Sequence, residues 1–250
     1  MKIEWIGTGS GLNPKLGNTS FLVEGENRTL LVDCGFTVPL KLIEIGKLKE
    51  ITDIILTHAH ADHIGGIESL VFMNYFSYKK RKEDRPNLYI ATDEFAHNLW
   101  EHSLKGGLEK MQIEDNESMN TSIETYFKIH VGKNIEIPEI PKIKMFPTLH
   151  VSGMENYGVR FDNGVFYSGD TIELPPHDPK IIFQDCQFFE TRPNIHISYD
   201  RLKKELPAGV REKTFLVHLS QGWDKEDAIK DGFAGFVIPG KFLYFDFKNH

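Results

Sequence analysis

The segment Thr57-His58-Ala59-His60-Ala61-Asp62-His63 places four potential metal ligands within six residues. His58 and His60 are two positions apart, so an extended backbone points both to one side. Ala59 and Ala61 leave room between them, and a turn at Asp62-His63 would bring two further donors to the same mouth. Gly65-Gly66 then lets a helix start close to the site. Neutral imidazole and carboxylate are ligands that Zn²⁺ or Mn²⁺ would use. A solvated histidine-rich loop is the plain alternative. However, the run directly follows the apolar stretch Asp53-Ile54-Ile55-Leu56, and charge-capable groups leaving a core strand need partners.

Three more donors sit at strand ends. His150 follows the candidate strand Lys142–Phe146 and the turn at Pro147, Asp170 follows Phe166-Tyr167-Ser168-Gly169, and His218 follows Phe215-Leu216-Val217. Each alone has an ordinary reading as a core histidine, a turn aspartate or a capping group. Together, His58, His60, Asp62, His63, His150, Asp170 and His218 exceed what one tetrahedral zinc can take. If Asp170 bridges, two metals receive four protein bonds each, which is the arrangement of a two-metal hydrolytic centre.

The elements that must position these groups are short. Lys2–Ile6, Ser20–Val23, Leu30–Asp33 and Asp53–Thr57 read as strands, with helical spacing in Val38–Lys47 and again after Gly65. Further strands are expected at Leu88–Ala91, Glu124–Ile129, Lys142–Phe146, Tyr157–Phe161, Val165–Ser168, Ile181–Asp185 and Thr214–Val217. Helices are expected at Thr92–Leu104, Ser198–Leu206 and Lys225–Asp231. Runs of strands with helices between them suggest two sheets with helices outside, in one domain spanning residues 1–250.

Composition narrows the partners. The chain has 250 residues, 40% hydrophobic and 26% charged, enough for an ordinary globular core. Against 36 acidic residues stand 29 basic ones, and the net charge of -7 argues against a nucleic-acid coat or a polybasic membrane binder. Cys34 and Cys186 both sit in apolar stretches, which fits a reducing compartment. No apolar run approaches the roughly 18 residues of a membrane span, and the first residues lack the apolar stretch of a signal peptide. A cytoplasmic location without a membrane partner is expected.

The H-x-H-x-D-H run, His150, Ser168-Gly169-Asp170 and His218, in that order, resemble the metallo-β-lactamase fold superfamily. The resemblance implies an α/β fold, an αββα sandwich with metals at the edge between two sheets. It implies that His58, His60 and His150 hold a first metal, that Asp62, His63 and His218 hold a second, and that Asp170 bridges them. Within the superfamily the chain is most similar to the phosphodiesterase branch that contains the tRNA 3′-processing endonucleases. Gly7-Thr8-Gly9-Ser10-Gly11 opens the chain as it does there. His196, in Asn194-Ile195-His196-Ile197-Ser198, matches that branch's proton donor, and Asp185 takes the place of the carboxylate that orients it, while Gln184 departs from the branch's histidine.

Two departures argue against tRNA processing. No long basic Gly/Pro-rich arm is present, and the loop Pro14-Lys15-Leu16-Gly17-Asn18 lacks the branch's arginine. Size, the His196 motif and the missing arm make the chain similar to the phage anti-Pycsar family. That resemblance implies hydrolysis of 3′,5′-cyclic mononucleotides (cCMP, cUMP, also cAMP and cGMP) to nucleoside monophosphates. It also implies a counter-defence role in the host cytoplasm, two divalent ions (Zn²⁺, or Mn²⁺) and a homodimer, with no stable nucleic-acid partner. Asp62, His196 and Asp185 would be the catalytic residues, with Asp62 orienting the attacking water as well as binding metal. The alternatives are an RNA 3′-processing endonuclease, a metallo-hydrolase of another ester-type bond, and a module that sequesters a nucleotide without turnover.

Other signals are weaker. Gly7-x-Gly9 is no dinucleotide fingerprint, because position 12 is Leu and a strand follows. The aromatic run Val71–Tyr78 reads as helix core, or as a wall for a base or dimer contact. The basic group Lys79, Lys80, Arg81, Lys82 and Arg85 reads as a solvated loop. Lys15 and Asn18 are candidate phosphate contacts.

Overall fold

Apolar runs too short for helices become strands, and their chain order already separates two sheets. The computed structural model describes residues 1–77, 84–188, 192–220, 225–240 and 242–244. The strands are β1 (Lys2–Gly7), β2 (Ser20–Glu24), β3 (Thr29–Val32), β4 (Asp53–Ile55), β5 (Asn87–Ile90), β6 (Lys110–Glu114), β7 (Glu117–Asn120) and β8 (Lys128–Val131). They continue as β9 (Asn134–Ile135), β10 (Ile143–Pro147), β11 (Tyr157–Phe161), β12 (Val165–Tyr167), β13 (Ile181–Asp185), β14 (Thr214–Val217), β15 (Gly235–Phe236) and β16 (Phe242–Tyr244). Among the described residues one sheet runs β16-β1-β2-β3-β4-β5-β8 and the other β15-β14-β13-β12-β11-β10-β9.

Each sheet is antiparallel over one part and parallel over the rest. β3, β4, β5 and β8 are parallel in the first, and β12, β13, β14 and β15 in the second. Parallel strands share one C-terminal edge, and that edge is where ligands collect in open α/β sheets. The segments leaving β4, β12 and β14 are those that carry His58, Asp170 and His218.

Side chains of alternate strand positions fill the space between the sheets. Trp5 of β1 lies 4.7 Å from Phe21 of β2 and 4.9 Å from Phe183 of β13, and Phe21 lies 5.3 Å from Tyr167 of β12. These rings tie the sheets together, each pair adding about 0.5–1.5 kcal/mol beyond its buried area. One residue on, the period reverses the face. Ile182 of β13 and Leu216 of β14 pack with Leu202 and Leu206 at the helix Tyr199–Glu205. Val38 and Leu42, from the helix Val38–Glu44, join the core of the first sheet. The layers are therefore α, β, β, α, as expected.

Three local readings need correction. Glu124–Ile129 is not one strand: a helical turn, Ile123–Tyr126, precedes β8. Thr125 Oγ1 accepts the Ser122 N–H at 3.1 Å, and the Tyr126 hydroxyl donates to the Leu108 carbonyl at 2.8 Å. The first is a local helix cap and the second a tertiary contact, and together they override strand propensity. Asp62-His63 is not a turn but part of the helix Ala61–Ile64, with His60 at its N-cap. The helix expected at Thr92–Leu104 is α-helical only over Asp93–Leu99 and continues as a π-helical segment, Trp100–Leu104. Tyr78 and the basic residues Lys79, Lys80, Arg81 and Lys82 lie outside the described residues. Val71 is buried, whereas Phe72, Tyr75 and Phe76 are exposed, so those three rings are not core. No described helix is long and apolar enough to cross a membrane.

Candidate metal centre

The seven donors expected from the sequence meet at the shared edge of the two sheets. His58 leaves β4 fully buried, pinned by an antiparallel bridge to Asn156 from the second sheet's side. His60, in extended conformation (φ -70°, ψ 147°), starts the helix that presents Asp62 and His63. His58 Nε2 lies 3.1 Å from His60 Nδ1, and His150 Nε2 lies 3.2 Å from the same atom. Zn–N bonds near 2.05 Å at tetrahedral angles imply a nitrogen–nitrogen spacing of about 3.3 Å. Asp170 Oδ2 is 3.7 Å from His58 Nε2 and 3.9 Å from His150 Nε2.

The same Asp170 oxygen faces a second set. It lies 3.4 Å from His63 Nε2 and 3.4 Å from His218 Nε2. Asp62 Oδ2 is 3.2 Å from His218 Nε2 and 3.6 Å from His63 Nε2. Both groups, His58/His60/His150/Asp170 and Asp62/His63/Asp170/His218, could hold an ion. His63 Nε2 and Asp170 Oδ1 are buried with no hydrogen-bond partner, an arrangement that is costly unless a ligand satisfies them. The donor set thus fits divalent metal, and the sequence expectation of a metal-binding cluster holds.

A second ring of contacts aims the donors. Asp33, buried at the end of β3, is 2.8 Å from His63 Nδ1 and also accepts the Thr57 N–H at 2.8 Å. With its Nδ1 proton directed there, His63 presents Nε2 as a ligand. His150 Nδ1 faces the Ile195 carbonyl at 2.5 Å, and Gln187 donates to the His218 carbonyl at 2.9 Å. Asp33 (φ 61°) and His218 (φ 58°) are both left-handed without being glycine, a conformation that persists only where surroundings enforce it.

His196 and Asp185 join the cluster too. His196 Nδ1 lies 2.8 Å from Asp185 Oδ2 and 4.0 Å from Asp170 Oδ2. Its ring stacks on His218, with centroids 4.8 Å apart. Asp185 is fully buried and is held by the Thr171 N–H on Oδ2 and by Ser168 Oγ on its own N–H, both at 2.8 Å.

The electrostatics follow from burial against charge. Burial lowers the pKa of His58, and the charge of His63 adds to that; burial likewise lowers His60 and His150. A neutral imidazole is what a metal requires. Burial also opposes charge on His218, but Asp170, Asp185 and Asp62 outweigh it and push its pKa up to about 10. Burial opposes the Asp62 carboxylate, yet the His218 hydrogen bond and the His63 charge hold it well below the usual range. His196 is raised: burial favours its neutral form, and the Asp185 charge and hydrogen bond prevail.

Asn18 is not available to a phosphate. Its Oδ1 accepts the Thr37 N–H at 2.9 Å and its Nδ2 donates to the Gly11 carbonyl at 3.3 Å. Lys15 instead lines a separate groove with Phe36 and Leu40. Asp33, Thr171 and Gln187 are the residues that the sequence reading missed. Only the position of Asp33 at a strand end hinted at its role.

Two stacked mixed sheets with this donor edge define a metal-dependent hydrolase of the metallo-β-lactamase fold. A Bacillus subtilis protein of that fold, YhfI, superposes with a TM-score of 0.72 at 17% identity, covering 97% of this chain and 98% of its own. A diphosphatase of the PhnP family gives 0.71 at 21% identity, covering 98% of each chain. The family model of the anti-Pycsar protein Apyc1 matches residues 1–243. The Apyc1 of Bacillus phage 010DV004 is 35% identical over 264 residues, 96% of this chain and 97% of its own. That of Paenibacillus harenae is 34% identical over 236 residues, 90% of this chain and 92% of its own. The chain belongs to the anti-Pycsar Apyc1 family.

Proposed function

We propose that the protein hydrolyses 3′,5′-cyclic mononucleotides, cCMP and cUMP among them, to nucleoside monophosphates. The observation that carries the reading is the His196–Asp185 pair, 2.8 Å apart and beside the donor cluster. Metal-ligand sites of this fold serve many bonds, so the fold does not choose between them. A ribose alkoxide is a poor leaving group, and a charged imidazole beside the cluster answers that need.

His58, His60 and His150 take one divalent ion, Asp62, His63 and His218 another, and Asp170 lies between them. Zn²⁺ is the favoured ion and Mn²⁺ the second choice. When bound, such ions supply positive charge against the phosphoryl oxygens and acidify an attacking water. Asp62, its Oδ2 3.2 Å from His218 Nε2 and 3.6 Å from His63 Nε2, would orient that water. His196 shares its Nδ1 proton with Asp185, which leaves Nε2 to protonate the departing ribose oxygen. Asp185 holds the ring charged and aimed, and Thr171 and Ser168 hold Asp185.

The chain is read as one domain, since residues of both sheets share one core cluster. A homodimer is proposed, with the exposed Phe72, Tyr75 and Phe76 as candidate contacts. The phage relatives suggest action in a bacterial host's cytoplasm, against cyclic-nucleotide immune signalling.

Product analysis by chromatography tests the reading. Purified protein is incubated with cCMP, cUMP, cAMP and cGMP, with and without a chelator. Chelator-sensitive conversion to linear monophosphates is expected. No conversion in metal-loaded protein would demote it in favour of RNA ends or another ester.

A further inference from the structure

His218 leaves β14 under constraint. Its backbone is left-handed (φ 58°), which a residue with a Cβ keeps only where neighbours hold it. Its ring aims Nε2 at Asp62 Oδ2 and Asp170 Oδ2, 3.2 and 3.4 Å away. A turn in that backbone would swing the ring away from both carboxylates. The peptide plane that follows His218 therefore has to be fixed, because its orientation is the ψ angle of His218.

That plane is pinned at both ends. The Leu219 N–H donates to the Thr8 carbonyl at 2.9 Å, and the His218 carbonyl accepts from Gln187 Nε2 at 2.9 Å. The same Nε2 lies 3.2 Å from His218 Nδ1, and Asp185 Oδ1 lies 3.3 Å from that ring atom. Gln187 follows β13 by two residues and is buried. Its main chain is anchored in turn. The Gln187 N–H donates to the Ile197 carbonyl at 3.0 Å, and its carbonyl accepts the Tyr199 N–H at 2.8 Å. Both partners belong to the segment that carries His196, whose ring stacks on His218. A single amide thus reaches from the proton-donor segment to both the main chain and the ring of His218. Among the described residues, its side chain bonds to His218 and not to His58, His60 or His150.

We propose that Gln187 is a positioning residue for one ion of the pair: it sets His218 for the Asp62/His63/His218 site and leaves the His58/His60/His150 site alone. The inference rests on the two-ion reading and deepens it. Without the amide, the His218 carbonyl is a buried acceptor with its donor removed, and the plane turns to find another. The ligand atoms remain, but their preset geometry is lost at one site only.

The test titrates metal-free protein with Co²⁺, which such nitrogen and oxygen donors accept, and follows its absorption spectrum under chelator competition. Two Kd values are expected, and His150→Ala and His218→Ala assign them to the two sites. Gln187→Met has similar length and no donor. It should raise Kd at the His218 site by about 10–100-fold, the usual cost of losing such a support, and leave the other Kd at its wild-type value. Gln187→Asn keeps an amide but draws it back by one methylene. It should show the same selective loss in smaller measure, and it carries the test should Gln187→Met fold poorly. The two sites of one molecule control each other, since a general loosening of the fold weakens both. Equal weakening at both sites, or no change in either variant, reduces Gln187 to packing and overturns the proposal while the two-ion reading stands. Wild type that binds a single Co²⁺ overturns that reading, and the proposal with it.

Discussion

Asp185 Oδ2 lies 2.8 Å from His196 Nδ1, and both groups stand within the ring of histidines and carboxylates at the sheet edge. The pair belongs to neither of the two four-residue donor sets, although it touches Asp170, His218 and the His150 ring. Removing the imidazole should therefore disable proton transfer and leave metal binding intact. His196→Ala is expected to lower kcat by about 10²–10⁴ with metal content unchanged by mass spectrometry. Full turnover in that variant would remove His196 from the mechanism.

The pH profile has a sign that follows from the same pair. Asp185 raises the His196 pKa above 6.5 despite burial, so the donor stays protonated through that pH and loses its proton above it. The alkaline limb of log kcat should accordingly lie above pH 6.5. In Asp185→Asn the limb should shift toward acid, because the neutral amide no longer stabilises the imidazolium. A limb that stays in place would mean that another group sets it.

Asp33 holds His63 and the Thr57 backbone at once. Asp33→Asn should weaken metal affinity about 10–100-fold, the usual cost of losing such a supporting carboxylate. Stability should also fall by roughly 1–3 kcal/mol from buried groups left unpaired. Chelator competition reads the first effect and urea unfolding the second. Unchanged affinity would reduce Asp33 to a packing role.

Gly35 has no space for a side chain: a Cβ there would stand 1.9 Å from the Asp62 carbonyl oxygen. Gly35→Ala must displace the backbone that carries Asp62 and His63, and overpacking of this kind costs about 1–3 kcal/mol or more. Loss of bound metal and a lower Tm are expected. Gly106→Ala is the matched control, since a Cβ meets nothing within 4 Å in the short helix Lys105–Leu108, and it should stabilise by about 0.5–1 kcal/mol. Equal Tm values for the two variants would refute the steric account.

Much of this site was legible because its donors come in a dense local run and then at strand ends. His58, His60, Asp62 and His63 declare themselves by spacing. His150, Asp170 and His218 do so only as a set, in order. His196 and Asp185 needed the family resemblance, since an isolated histidine and a strand-end aspartate have ordinary readings. Asp33 was hard to read because its partner His63 lies 30 positions away and the two are joined by tertiary structure, the parallel pairing of β3 with β4 and the Cys34 N–H to His63 carbonyl bond. The Ile123–Tyr126 turn was misread because an apolar, aromatic composition suits a strand equally well. Its helical state depends on Leu108, distant in sequence. The two sheets themselves followed from short apolar runs, and their aromatic contacts, Trp5 on Phe183 among them, were not foreseeable from pattern.

The donors come from both sheets: His58, His60, Asp62 and His63 from the first, and His150, Asp170 and His218 from the second. Ions seated between them would act as rivets across the seam, so metal availability would be a term in the folding equilibrium itself. Since the unfolded chain cannot assemble both halves of either site, stabilisation would grow with the logarithm of free metal once it exceeds Kd. A cell that withholds the metal would then leave this protein easier to pull apart as well as silent.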